Sequence, residues 1–584
     1  MRKFLFIPVF LCAFSGCLNE KQQAEKILQH YIDQKVDLIR NYSIESAVAL
    51  WNATVSGNET DYQKLIDIEL NFNKTNRTPA DLFAPDRFYS ISANVFTNEQ
   101  DFELLKKLKY SGLVTDSLLS RQLNVLYQAF MGPQIETEKY RKLMDAEVKL
   151  WQAFSGFKID LDGKKYGALQ IDSIQKNTGD ASVLSHIFEV FRQKGNGLAP
   201  DIIQMVKNRN EFAAGFGYPD FYHLVLESKD QTPEQIKLLL DEIERNTRKQ
   251  YFELKQATDQ LLAARFHIRT GNLQPWHYSS ERTGELSKEN AARLDSLFSG
   301  IDPVEKAAAF FEGIGLPIRD VIDNSDLEYR REKSSINAMI NVDFKNDIRL
   351  ISGIQHTHGG MWRMMHLGGH ASHYKSIADD IPYLLKTPIP AIYEGIARYF
   401  EGLATDYNWL KTEVPLLQTE QKQLVLACRR MQQTDNLFRC RKLLVLAGFE
   451  REIYRDPNQD PDLLWQKLNL NYLGIDYPVE KFKGYWAANK YSTSLSCTTH
   501  NLVLADVFAA QLQHSIVNRV LKNTNGVYTG NKAIGQYLTD NLYRYGNILP
   551  WEQLIEKATG EPLHSKYFVN QLVGDENNNR NTEN

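Results

Sequence analysis

Past its N-terminus the chain lacks any apolar run of the roughly 18 to 20 residues that a bilayer-spanning helix requires, so the body carries no expected helical membrane anchor. Cysteine is scarce: of 5 in the sequence, only Cys428, Cys440 and Cys497 lie beyond the N-terminal segment. Cys428 and Cys440 share a helical pattern, where about 12 residues at ~1.5 Å rise separate them by about 18 Å, too far for a disulfide. The C-x-x-C spacing of a thiolate zinc site is missing as well. Charge of one sign is also lacking, since 68 Lys and Arg face 72 Asp and Glu for a net charge of -4. That balance leaves no basic stripe for a phosphate backbone, and no nucleic-acid partner is expected. No repeat at a period of about 20 to 50 residues suggests a solenoid. Strand signals are few, confined to a weak alternation over Asn337 to Phe344 and a short run over Asp347 to Ile351.

What is present is ordinary soluble material: 584 residues, 43% hydrophobic and 24% charged, enough for one large domain or several average ones. Helical patterns dominate. Thr232-Pro233-Glu234-Gln235 has the form of a capping box with proline at the first helical position, and Ile236, Leu239, Leu240 and Ile243 follow on one face, predicting a helix to about Arg265. Similar patterns cover Ala24 to Ile39, Glu138 to Phe154, Pro200 to Phe216 and Thr419 to Tyr454. At the N-terminus, Arg2 and Lys3 precede an apolar stretch, Phe4 to Leu11, and a small-residue site, Ala13-Phe14-Ser15-Gly16-Cys17. A cysteine directly after Ser-Gly resembles the bacterial lipobox. Residues 1–16 are therefore read as a lipoprotein signal peptide, with Cys17 as the lipidated residue, 17–24 as a tether, and the polar, Asn-rich 574–584 as a disordered tail. This places the protein in the bacterial cell envelope, outside the cytoplasm, with the lipid as its membrane attachment.

The chemistry-bearing motif is His366-Leu367-Gly368-Gly369-His370. Four residues is just over one helical turn, so both imidazoles share a face. Pro388 and Pro390 break the chain before a second helix near Ala391, which can bring Glu394 across the first. Two His and one Glu, with a fourth position open, is the ligand set of a catalytic zinc site. In H-E-x-x-H peptidases the residue after the first histidine is a general base, and Leu367 stands there instead. His356, His358 and His373 have irregular spacings and read as a solvated cluster rather than as ligands. Glu401, two turns beyond Glu394, lies about 10 Å along the helix and is too far to abstract a proton. His500 is a candidate donor or base, or an incidental polar residue.

Several separated blocks resemble the peptidyl-dipeptidase A (angiotensin-converting enzyme) family of zinc metallopeptidases. They are Asp347-Ile348-Arg349-Leu350 followed by His366, Gly369-His370 and Glu394; Met205 to Glu211 with Gly217-Tyr218-Pro219-Asp220-Phe221; and Trp465 with Tyr472 to Val479. The resemblance spans residues 25–573 and implies one mainly α domain, a large helical ellipsoid with a deep central channel and a very small β-sheet near the metal site. It implies zinc on His366, His370 and Glu394, and a peptide or protein ligand in the channel. The family's aspartate that orients a ligand histidine is replaced by Arg398, which implies a weakened metal site. In the family's C-terminal substrate segment, aligned from Lys490, only that lysine survives to hold a peptide carboxylate. Ser492, Thr499 and Leu502 replace a histidine and two tyrosines, the last of which donates to the oxyanion. The expectation is a catalytically inactive, zinc-metallopeptidase-like binding protein. An active peptidyl-dipeptidase with an unconventional base and a metal-free interaction scaffold are the alternatives.

Overall fold

The computed structural model describes most of residues 9–573, excepting 69–97, 132–149, 280–284, 331–336, 415–421, 489–494, 524–525 and scattered positions in 57–67 and 151–177. Lys490, Ser492, the 574–584 tail and most of the pattern predicted over Glu138 to Phe154 lie outside the described residues. The architecture is mainly α, as the sequence patterns predict, with two very small sheets. Among the described residues, no helix is long and apolar enough to cross a membrane.

The first helix runs from Val9 to Ser56 without a break at Cys17. The helix Pro233–Arg265 begins as predicted: Thr232 Oγ1 accepts from the Gln235 amide at 3.2 Å, and Gln235 Oε1 accepts from the Thr232 amide at 3.3 Å. Such reciprocal capping satisfies two amides that the first turn cannot. The helix expected from Pro200 instead starts at Ala181 and runs to Gly215, with Pro200 inside it. The expected start is corrected by tertiary packing: Gly195 lets the backbone at Gly484 and Ala488 come so close that a Cβ there would lie 2.1 Å from the Gly484 carbonyl. Its far end is anchored by polar contacts. Arg209 Nη1 donates to the Tyr454 hydroxyl and the Leu495 carbonyl, at 2.7 and 3.0 Å, and Asn210 Nδ2 to the Tyr454 carbonyl at 2.7 Å.

Strands β1 (Ile159–Leu161) and β2 (Lys164–Tyr166) form an antiparallel hairpin that the sequence did not announce. Strands β3 (Asp326–Glu328), β4 (Asn337–Asn341) and β5 (Ile348–Ile354) form the second sheet in the order β3-β5-β4. Strand β5 is parallel to β3 and antiparallel to β4. It leads through a short turn into the helix His358–Lys375, where the Thr357 hydroxyl accepts from the Gly360 amide at 3.0 Å. That is the histidine helix. The glutamate helix, Pro390–Leu403, starts with proline at its first position.

The largest apolar cluster surrounds these two helices. It includes Met361, Met364, Leu367, Ile392, Ile396 and Phe400, together with Phe310 and Phe311 from the helix Pro303–Gly313. Glycine permits the close approach. A Cβ on Gly368 would sit 2.2 Å from the Phe311 ring; one on Gly369 would meet Phe400 at 3.0 Å and the Ala397 Cα at 3.1 Å. On the other side, a Cβ on Gly395 would meet Phe508 of the helix Thr499–Ile516 at 2.6 Å.

Substituting these positions separates packing from propensity. Gly368→Ala should lower unfolding free energy by about 1–3 kcal/mol through overpacking. Gly402→Ala, whose Cβ enters open space in the glutamate helix, should raise it by about 0.4–1 kcal/mol through the unfolded chain. Urea unfolding of both variants checks this, and equal shifts of one sign would remove the packing argument.

Candidate metal centre

The histidine helix projects His366 and His370 toward the glutamate helix one turn apart, and Glu394 meets them from across the interface. Ligand-type atoms of these three residues lie within 4.8 Å of one another, the one such cluster among the described residues. His366 Nε2 and His370 Nε2 are 3.1 Å apart, and Glu394 Oε2 is 3.9 Å from the first and 3.7 Å from the second. Ligands at ~2.0–2.2 Å from a tetrahedral ion stand about 3.4 Å from each other, so small side-chain rotations close the triangle.

The protonation pattern favours a cation there. His366 Nδ1 donates to Glu401 Oε2 at 2.7 Å, which leaves the Nε2 lone pair directed inward. Burial, helped by His366, His373 and Arg398, drives the His370 pKa well below its ordinary value, so that ring is neutral. Two imidazole nitrogens this close require either a shared proton or a metal ion between them, and the residues fit a metal.

The rings are also clamped. Tyr393 stacks on His370 with centroids 3.8 Å apart, and Trp362 lies parallel to His366 at 5.9 Å.

Behind the ligands runs a chain of charges. Glu394 Oε1 pairs with Arg398 Nη2 at 2.8 Å, Arg398 Nη1 with Glu401 Oε1 at 2.9 Å, and Glu401 Oε2 returns to His366. Arg398 Nε lies 3.8 Å from Asp506 Oδ1, and Asp506 is in turn paired with Arg439. Burial alone would raise the Glu401 pKa, but Arg398 and the His366 hydrogen bond outweigh it and hold the carboxyl below its usual range. The Arg398 guanidinium is likewise opposed by burial yet held charged by Glu401, Glu394 and Asp506. A polar cavity of about 110 Å³ adjoins this chain, lined by Arg398, Glu401, Asp406, Arg429, Arg439 and Asp506 among others.

A carboxylate on the outer nitrogen of His366 is thus present, supplied by Glu401 rather than by position 398. Seven residues beyond Glu394, it shares that face of the helix and reaches across to His366, a contact that helix spacing alone does not reveal. It contacts the imidazole nitrogen opposite the one turned to Glu394.

The other histidines do not form the solvated cluster expected. His356 is exposed, whereas His358 Nε2 donates to the Ala404 carbonyl, 2.9 Å away, and its amide donates to Asp295. His373 is fully buried, parallel to Tyr543 at 4.8 Å, because the histidine helix is enclosed on nearly every side. His500 is a core residue, 2.8 Å from Gln231 Oε1 and away from solvent. Leu367 is 1% exposed within the main apolar cluster. Leu502, half-buried on the helix Thr499–Ile516, packs against a second apolar cluster, and Thr499 is buried at that helix's start. Cys428, Cys440 and Cys497 are buried free thiols, as expected.

Set against protein-family models and curated proteins, the chain finds no match.

Acid should expose the buried histidines. Burial pushes His500 down to about 3, so between the ordinary value near 6.5 and that value the unfolded chain binds a proton that the folded chain refuses. Stability is therefore lost as pH falls below about 6.5, on the order of 1 kcal/mol per pH unit from this group. Urea unfolding at pH 7 and pH 5 should show a smaller loss in His500→Gln than in the parent; an identical loss would assign the acid sensitivity elsewhere.

Proposed function

We propose that the protein is a zinc-holding, peptidase-like binding protein whose own residues no longer support peptide hydrolysis. The observation that carries the reading is the closed circuit at the site: two imidazole nitrogens and one carboxylate oxygen converge, while the other side of His366 and of Glu394 is tied through Glu401 and Arg398. Two imidazoles with one carboxylate and an open position suit zinc. The ordered motifs that resemble peptidyl-dipeptidase A point the same way and suggest a peptide or protein as the ligand.

Bound zinc would polarise a carbonyl or acidify a water, and turnover would further need a base and an oxyanion donor. Leu367 can neither accept nor relay a proton, and it is packed into the core. Glu401 is committed to His366 and Arg398. His500 is bonded to Gln231 inside the protein. A leucine at 502 offers no hydrogen to a developing oxyanion, a loss of about 10²–10³ in rate by itself. The residues left in place bind and orient; they do not move protons.

The purified chain should carry zinc that is lost in His370→Ala and held about 10- to 100-fold more weakly in Glu401→Ala. The parent should leave a broad peptide panel uncut, and Leu367→Glu should not restore cleavage because it places a carboxylate in the apolar core. Metal analysis and cleavage assays check these points. Zinc-dependent hydrolysis by the parent, abolished in His366→Ala, would make the protein an active peptidase.

The N-terminal order of basic residues, apolar stretch and Ser15-Gly16-Cys17 supports attachment of the mature protein to a bacterial envelope membrane by lipid on Cys17. Cys17→Ala should move the protein out of the membrane fraction, and retention there equal to the parent's would rule out this anchor.

A further inference from the structure

We propose that Arg398 fixes Glu394 as a one-oxygen ligand, so that the centre is built for a metal ion that accepts four-coordination. The proposal rests on the reading that His366, His370 and Glu394 hold a metal.

The two carboxylate oxygens of Glu394 have different occupations. Oε2 faces the imidazole nitrogens at 3.7 and 3.9 Å, whereas Oε1 accepts from Arg398 Nη2 at 2.8 Å. A carboxylate that chelates through both oxygens must turn both toward the ion, which here means abandoning the guanidinium. Arg398 cannot follow that rotation freely. Its Nη1 is bonded to Glu401 Oε1 at 2.9 Å, its Nε faces Asp506 at 3.8 Å, and Glu401 is itself held by His366. Breaking the Glu394 contact would strip one partner from a largely enclosed cation, and a charge taken from its partner inside a protein is costly. The fork of the guanidinium lets one side chain hold Glu394 and Glu401 at once, Nη2 on the first and Nη1 on the second.

The consequence is a donor set of two nitrogens and one oxygen with one further position for solvent or a ligand atom. That matches ions content with four donors. Calcium, which takes six to eight oxygens, and magnesium, which demands octahedral oxygen geometry, fit poorly. Arg398 is therefore a positioning residue: it would touch neither metal nor ligand, and it selects among metals through Glu394. An aspartate at this position would leave Oε1 free, so the arginine and Glu401 together replace one orienting carboxylate with a stiffer two-residue strut.

Cobalt(II) is the probe, because its visible absorption is much stronger in four-coordinate than in five-coordinate sites. The full chain is stripped by chelation and titrated with cobalt. The parent should give the intense four-coordinate band. Arg398→Met, which keeps bulk but frees Oε1, should weaken the band severalfold and move it to shorter wavelength. Arg398→Lys, whose ammonium can still engage Oε1, should retain most of the parental intensity. A weak, five-coordinate parental spectrum overturns the proposal while leaving the metal reading intact, and so does an Arg398→Met spectrum like the parent's. Cobalt uptake that is absent, or unchanged in His370→Ala, overturns both. The parental spectrum needs no substitution, so a variant that fails to fold does not remove the test.

Discussion

The site depends on how closely two helices approach. The histidine helix and the glutamate helix meet at Gly369, where a side chain would run into Phe400 and the Ala397 backbone, and Gly368 lets the Phe311 ring rest against the opposite face. Glu394 reaches the imidazoles because nothing larger than hydrogen separates the two backbones just beyond it. Gly395 repeats the arrangement toward Phe508, so the glutamate helix is gripped on two sides. Dense packing of this kind transmits small displacements, and the ligand triangle inherits its dimensions from it.

Electrostatics then sharpens what packing has placed. Three carboxylates, Glu394, Glu401 and Asp506, face two guanidinium groups, Arg398 and Arg439, leaving one negative charge in excess beside the two imidazoles. Charges this enclosed persist only when paired, and each pairs with a partner from a different turn or helix. The path from Glu394 through Arg398 and Glu401 makes Glu394 and His366 parts of one hydrogen-bonded unit. Positive charge at 398, which seems hostile to a metal when read alone, is neutralised by the carboxylates that surround it.

The same packing that brings His366, His370 and Glu394 together encloses Leu367. The residue after His366 is enclosed among methionines, phenylalanines and isoleucines, and leucine satisfies that environment better than an acid would. On the reading proposed above, retained ligands with a lost base would suit holding a ligand rather than cleaving it; the enclosed histidines 370, 373 and 500 make the body a neutral-pH structure.

Local pattern determined much by itself. The helical class, the capping box at Thr232, the β4 and β5 segments and the pairing of His366 with His370 on one face follow from spacings within a few residues, where periodicity and chemistry act together, whereas Glu394 joins them from a second helix. The tertiary structure decided what depends on reach between elements. Glu401 became the partner of His366 because two helix axes approach at glycine contacts, a distance no sequence separation encodes. Pro200 sits inside a helix rather than opening one because packing at Gly195 carries the helix past it. His373 and His500 are buried because neighbouring helices close over them, and Arg398 braces the site because Glu401 and Asp506 arrive from one turn along and from another helix. Sequence fixes which groups share a face, and only the packed fold fixes what that face meets.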